Sequence, residues 1–213
     1  MNAALDEFLQ RHPQVWRGRR AAWADADTIA TGFADLDVHL PGGGWPRGAL
    51  TEVLLPRPGI GELRLLLPAL ARVQQEKKWI ALIAPPHVPY APAWQAAGVD
   101  LSRLLWVHTR SPIDLLWALE QALRAGTCGA VLGWPTSVPR FEQLRRLQLA
   151  AESGLSWGIL FRPEAEARQA SPAAVRVRLE ARDHHLAAHL LKRRGACSGE
   201  SLQLSLPLFT VIK

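Results

Sequence analysis

The sequence predicts an α/β protein built on a mostly parallel sheet flanked by helices, and three observations predict it. Continuous apolar runs such as WIALIA (79–84) and LSWGILF (155–161) have the length of buried strands. Segments of helical length alternate with such runs from about residue 49 to residue 161. The last third then changes to the two-residue alternation of VRVRLEA (175–181), the mark of antiparallel strands. With 213 residues, 48% of them apolar, the chain suits one α/β domain with appendages.

Residues 1–25 stand apart as an N-terminal helix and linker, and 26–213 form the core domain, with terminal β-strands from about 174. Leu5, Phe8 and Leu9 share one helical face, which with Trp16 is a candidate partner-binding surface. So short a helix is marginal alone and must dock, either on its own core or on a neighbour. Residues 24–48 are rich in turn formers, and Gly42-Gly43-Gly44 followed by Trp45-Pro46 read as a turn feeding a strand at 49–55. Leu63 to Lys78 follows as a helix that Pro68 should kink. After the strand at 79–84, 91–99 reads as a helix and 104–108 as a strand. Ser111, Pro112 and Asp114 cap a helix running to Gly126. Gly129 to Leu132 is a buried strand, and 139–154 a helix with Phe141, Leu144, Leu147 and Ala151 inward. The segment 162–174 reads as a polar loop. Strands are expected at 175–181, in LAAHLLKRR and in SLQLSLPLF.

Charge and composition narrow the function. The formal charge is +6, but residues 1–139 carry 13 basic and 12 acidic side chains, whereas 140–194 carry 11 and 6. Arg140, Arg145, Arg146, Lys192, Arg193 and Arg194 are the basic-patch candidates. If they converge they suit DNA phosphates or an acidic partner; if scattered they only solubilise. Two cysteines without C-x-x-C spacing argue against a disulfide framework or structural zinc. His185 and His189 are four apart, with His184 beside them, but they fall on a predicted strand with no acid or Cys to complete a set, and no metal is expected. The N-terminus lacks a signal pattern and no run of 18 apolar residues occurs, so the chain reads as cytoplasmic with no membrane contact. Of nine tryptophans, Trp79, Trp106, Trp117 and Trp157 fall on core elements and are expected to be buried. Trp16, Trp23, Trp45, Trp94 and Trp134 lie near loops or ends, where partner anchors are sought.

The spacing of Thr31-Gly32, Leu36-Asp37, Gly43-Gly44 and Pro46-x-Gly48 before a strand resembles the RecA-like core. Within that lineage the chain resembles the ImuA family, through GGGWPRGALTE and overall likeness; the SulA division inhibitors share the same degenerate core. The ImuA resemblance implies an accessory protein of SOS-induced translesion synthesis and mutagenesis. Its implied partners are the polymerase-like ImuB, an error-prone DnaE-type polymerase and RecA, with self-association through the N-terminal helix. The SulA alternative implies capping of FtsZ. A third reading is an ordinary ATP-dependent recombinase or motor.

EVLLPRPGIGELRLLLPAL (52–70) occupies the place of the phosphate loop in such a core. The pattern G-x-x-x-x-G-K-[ST] falls on Pro56, Gly61, Glu62 and Leu63. Pro56 and Pro58 offer no N–H, Glu62 puts an anion where a cation is needed, and Leu63 cannot ligand magnesium. Two unit charges about 4 Å apart interact by about 4 kcal/mol at an effective dielectric of about 20, so exchanging attraction for repulsion costs roughly twice that. The carboxylate positions after the neighbouring strands are Pro85-Pro86-His87 and Gly133. The loop is therefore expected to be degenerate, with no nucleotide cofactor and no enzyme activity.

Overall fold

The structure is a computed structural model, and it describes residues 27–182, 185–193 and 200–204. An antiparallel pair comes first, β1 (Thr28–Ile29) against β2 (Trp45–Pro46), enclosing the short helix α1 (Ala34–Asp37) and a 3-10 turn at Pro41–Gly43. Then β3 (Leu50–Leu55), α2 (Glu62–Gln75), β4 (Trp79–Ile83), α3 (Ala91–Ala96), β5 (Leu104–Val107), α4 (Pro112–Arg124), β6 (Cys128–Gly133), α5 (Phe141–Gly154) and β7 (Trp157–Pro163) alternate. β8 (Val175–Arg182), β9 (His185–Arg193) and β10 (Glu200–Leu204) complete an eight-stranded sheet of order β10-β9-β8-β3-β7-β6-β4-β5. The six strands from β8 to β5 are parallel, and β9 and β10 are antiparallel additions.

The crossovers sort the helices between two faces. The chain moves from β3 outward to β5 with α2 and α3 on one face, then returns through β6 to β7 with α4 and α5 on the other. Parallel crossovers are right-handed, so reversing direction changes the face. On the first face, Leu65, Leu66 and Leu70 of α2 meet Val53, Ile80, Leu132 and Ile159. On the second, Leu115, Leu119 and Leu123 of α4 and Leu144, Leu147 and Ala151 of α5 meet Leu50, Ala81, Val131 and Leu160. The Ser111 hydroxyl accepts the Asp114 N–H at 3.1 Å and starts α4 as the sequence predicts.

Pro68 sits inside α2 without ending it. Gly32 packs against it so closely that a Cβ there would lie 2.6 Å from the Pro68 ring. Gly44 passes similarly close to the Ile29 carbonyl, and the Asp37 carboxylate accepts the Thr31 N–H at 2.8 Å. The motif residues at 31–44 thus fasten the strap around β1 to α2.

Several expectations need correction. Trp45 (0% exposed), Trp94 and Trp134 are buried, whereas Trp79, Trp106 and Trp117 (64%) are exposed. Trp45 stacks on Trp157 with ring centres 5.4 Å apart; Trp79 begins its strand, Trp106 lies on the sheet edge, and Trp117 points away from the sheet. Phe141 is exposed because the inward stripe of α5 begins at Leu144. The segment 162–174 is not a solvated polar loop: Arg162, Glu166, Ala173 and Ala174 are buried. Leu5, Phe8, Leu9, Trp16, Trp23, His184, Arg194 and Cys197 lie outside the described residues, as does the part of SLQLSLPLF beyond Leu204.

Candidate functional site

At the centre of the sheet Glu52 is fully buried between two arginines. Its Oε1 accepts from Arg162 Nη1 at 2.6 Å and from the Ser171 hydroxyl at 2.7 Å, and its Oε2 accepts from Arg176 Nε at 2.6 Å. Arg162 also pairs with Glu166, and Arg176 donates to the carbonyls of Glu166, Ala167 and Gln169 at 3.0 Å. Two arginines and two glutamates balance, which is what burial of charge requires. The cluster anchors segment 164–171 across β3, β7 and β8. Sequence reading singled out none of these arginines, since no local signal ties Glu52 to residues more than a hundred positions away.

Beyond this cluster, at the C-terminal end of β3, the chain turns through Pro56 to Gly61 into α2. Gly59 (φ 83°) and Gly61 (φ 105°) take the left-handed backbone that lets the loop curl inward. Glu62 is only 5% exposed. Its Oε1 accepts the Gly59 N–H at 2.8 Å and its Oε2 the Gly61 N–H at 3.1 Å. The carboxylate also sits on the first turn of a 14-residue helix, whose N-terminal dipole favours an anion. The loop thus folds its N–H groups around an anion that the chain itself supplies. Leu63 is partly buried against the first-face core.

An apolar cleft of about 300 Å³ opens beside the loop, with Pro58, Leu63 and Leu67 on one wall and Pro86, Tyr90 and Trp134 on the other. A second hollow of about 260 Å³ adjoins it, lined by Pro56, Pro135, Phe161 and Pro163. Trp134 stacks on Phe161 between them, ring centres 4.5 Å apart. Prolines, aromatic rings and aliphatic side chains make up most of these walls, with Arg57, Arg64, His87 and Arg162 also lining them. A Cβ at Gly133 would point away from the cleft, 2.6 Å from Leu119 of α4.

The basic candidates divide. Arg145 and Lys192 line one groove between α5 and β9. Arg146 turns to the other side of α5 and pairs with Glu120 at 2.6 Å, beside Arg124 at 2.7 Å. Arg193 donates to the His39 carbonyl at 2.7 Å, and exposed Arg140 stands at the N-cap of α5. His185 and His189 lie on β9, where His189 approaches Glu180 at 3.5 Å. Among the described residues no group of three or more His, Cys, Asp or Glu could hold a metal ion. None of their helices is long and apolar enough to cross a membrane.

Fold and cleft together define an α/β protein whose strand-end loop is filled by its own carboxylate and whose adjoining surface is apolar. The chain belongs to the SulA family: the family model described as "Cell division inhibitor SulA" matches residues 48–158, just over half of the sequence. Similar proteins of that description include one from Klebsiella aerogenes, 33% identical over 119 residues, covering 54% of this chain and 69% of the relative. Another, from Edwardsiella piscicida, is 35% identical over 103 residues (48% and 61%). A third, from Klebsiella pneumoniae (strain 342), is 28% identical over 145 residues (67% and 85%).

These matches overturn the ImuA assignment, and with it the translesion-synthesis role and the ImuB, DnaE-type polymerase and RecA partners. That assignment rested on GGGWPRGALTE and overall likeness, and within that stretch Gly44 serves packing, passing close to the Ile29 carbonyl.

Proposed function

We propose that the protein is a cell division inhibitor that acts by direct contact with FtsZ in the cytoplasm and performs no nucleotide chemistry. The observation that carries this reading is the SulA match, which runs from the start of β3 to the start of β7 and so spans the strand-end cleft. The geometry supports the second half of the proposal. Both Gly59 and Gly61 N–H groups are engaged by Glu62, and the cleft beside them is lined mainly by proline, aromatic and aliphatic side chains, with Arg64 and His87 at its wall. The strand order, with the first core strand flanked by the strands formed from residues 157–163 and 175–182, supports reading the core as RecA-like with a degenerate phosphate loop. Such a surface suits a protein partner better than a polyphosphate.

GTP-driven polymerisation of FtsZ, followed by light scattering, tests the proposal. Addition of the protein at or below the FtsZ concentration should suppress polymer in proportion to dose. Polymerisation unaffected by a several-fold excess would sink the reading.

A further inference from the structure

α5 is a ridge with a groove on each side. The groove toward α4 holds Arg146, already paired with Glu120. The other, of about 280 Å³, lies between α5 and β9 and is lined by Phe141, Arg145, Leu149, Glu152, Pro172 and Lys192. Phe141 and Leu149 are 43% and 53% exposed. Spaced i and i+8, they lie on one face of the helix with Arg145 midway between them. Arg145 is exposed and has no ion-pair partner among the described residues. On the facing wall Lys192 donates to the Ser171 carbonyl at 2.7 Å, which fixes its ammonium beside Pro172. Glu152 accepts from Gln148 Nε2 at 2.9 Å, so the one carboxylate in the groove is already engaged.

We propose that this groove binds an acidic peptide segment of a partner protein, with a large apolar side chain between Phe141 and Leu149 and carboxylates on Arg145 and Lys192. Charge complementarity selects the occupant: the charged side chains lining the groove are two cations, Arg145 and Lys192, and one carboxylate, Glu152. Apolar anchors flanking two cations on opposite walls match a short amphipathic acidic segment. A nucleic acid fits less well, because phosphate binding draws on many cations at once and this groove offers two. The surface is distinct from the strand-end cleft and does not depend on its partner.

Selection of random phage-displayed peptides on the full chain tests the proposal. Enriched sequences should combine Asp or Glu with Leu, Ile or Phe. The leading peptide, made synthetically and titrated by calorimetry, should bind about tenfold or more weakly to Arg145→Glu and to Leu149→Asp, with a smaller loss for Arg145→Gln. Raising salt from about 50 to about 300 mM should weaken binding further. Both positions are exposed, and unchanged melting temperatures will separate lost binding from lost fold. The proposal is overturned if no peptide is enriched, if the enriched peptides lack acidic residues, or if the variants bind as tightly as the unmodified protein. Salt-steep binding of fluorescein-labelled single-stranded DNA that Arg145→Glu abolishes would also overturn it and assign the groove to nucleic acid.

Discussion

The Glu62 carboxylate accepts the backbone N–H of Gly59 at 2.8 Å, three residues earlier in the chain, and so closes the loop that precedes α2 on itself. A lysine side chain at this position could not make the contact, because it has only donors to offer.

Replacing Glu62 with Ala leaves two loop N–H groups and a helix N-terminus without their anion. Stability should fall by about 1–2 kcal/mol, as for loss of an N-terminal cap, with Glu62→Gln retaining part of it. Urea unfolding measures this, and an unchanged midpoint for Glu62→Ala would refute it. Calorimetric titration of the unmodified protein with Mg-ATP at millimolar concentration should give no saturable heat.

Truncating Glu52 should be far more costly. Glu52→Ala strands Arg162 and Arg176 in the interior, and removing one partner of a buried pair costs about 3–5 kcal/mol. Replacing Glu52, Arg162, Glu166 and Arg176 together by apolar residues of similar volume should recover much of the loss. If the quadruple variant is no more stable than Glu52→Ala, the cost lies in the lost shape and not in the stranded charge.

Introducing an acidic residue at Gly133 should not create a magnesium site. The side chain would be driven against Leu119, so Gly133→Asp should lower stability by about 3 kcal/mol or more while leaving magnesium binding undetectable. Thermal unfolding with and without magnesium chloride reports both. A melting temperature raised by magnesium would contradict the orientation.

Burial pushes the Cys128 thiol above its ordinary pKa. A raised pKa means less thiolate at any given pH, and thiolate is the reacting form. In a Cys197→Ser background, a disulfide reagent at mildly alkaline pH should leave Cys128 unlabelled until urea unfolds the chain. Rapid labelling of the folded protein would show the site to be accessible.

Strands and helices were legible because each carries its signal locally: WIALIA is a strand by its apolar run, and Ser111 a cap by its place before Pro112. Facing was harder. The sequence places Trp117 on a core element, yet the inward stripe Leu115, Leu119, Leu123 puts it on the far side of α4, as the helical period itself implies. Burial of Trp45 depends on Trp157, more than a hundred residues away, and nothing near position 45 announces that partner. At the loop, sequence alone marks Glu62 as wrong for a phosphate. That its carboxylate turns back to bind Gly59 and Gly61 is visible only in the geometry. Family membership was not legible because GGGWPRGALTE, which carried the ImuA resemblance, sets Gly44 against Ile29 and Trp45 on Trp157, contacts that serve packing.

The central strand β3 pairs on both sides with strands that come much later in the chain, β7 and β8. During synthesis Glu52 therefore waits 110 residues for Arg162 and 124 for Arg176. At about 5–20 residues per second the wait for the second arginine is roughly 6–25 s. Until β7 emerges, the strand that will lie at the middle of the sheet has neither of its lateral neighbours, and its charge has no counterion. A ribosome that stops short of β7 therefore releases a chain in which Glu52 has met neither arginine.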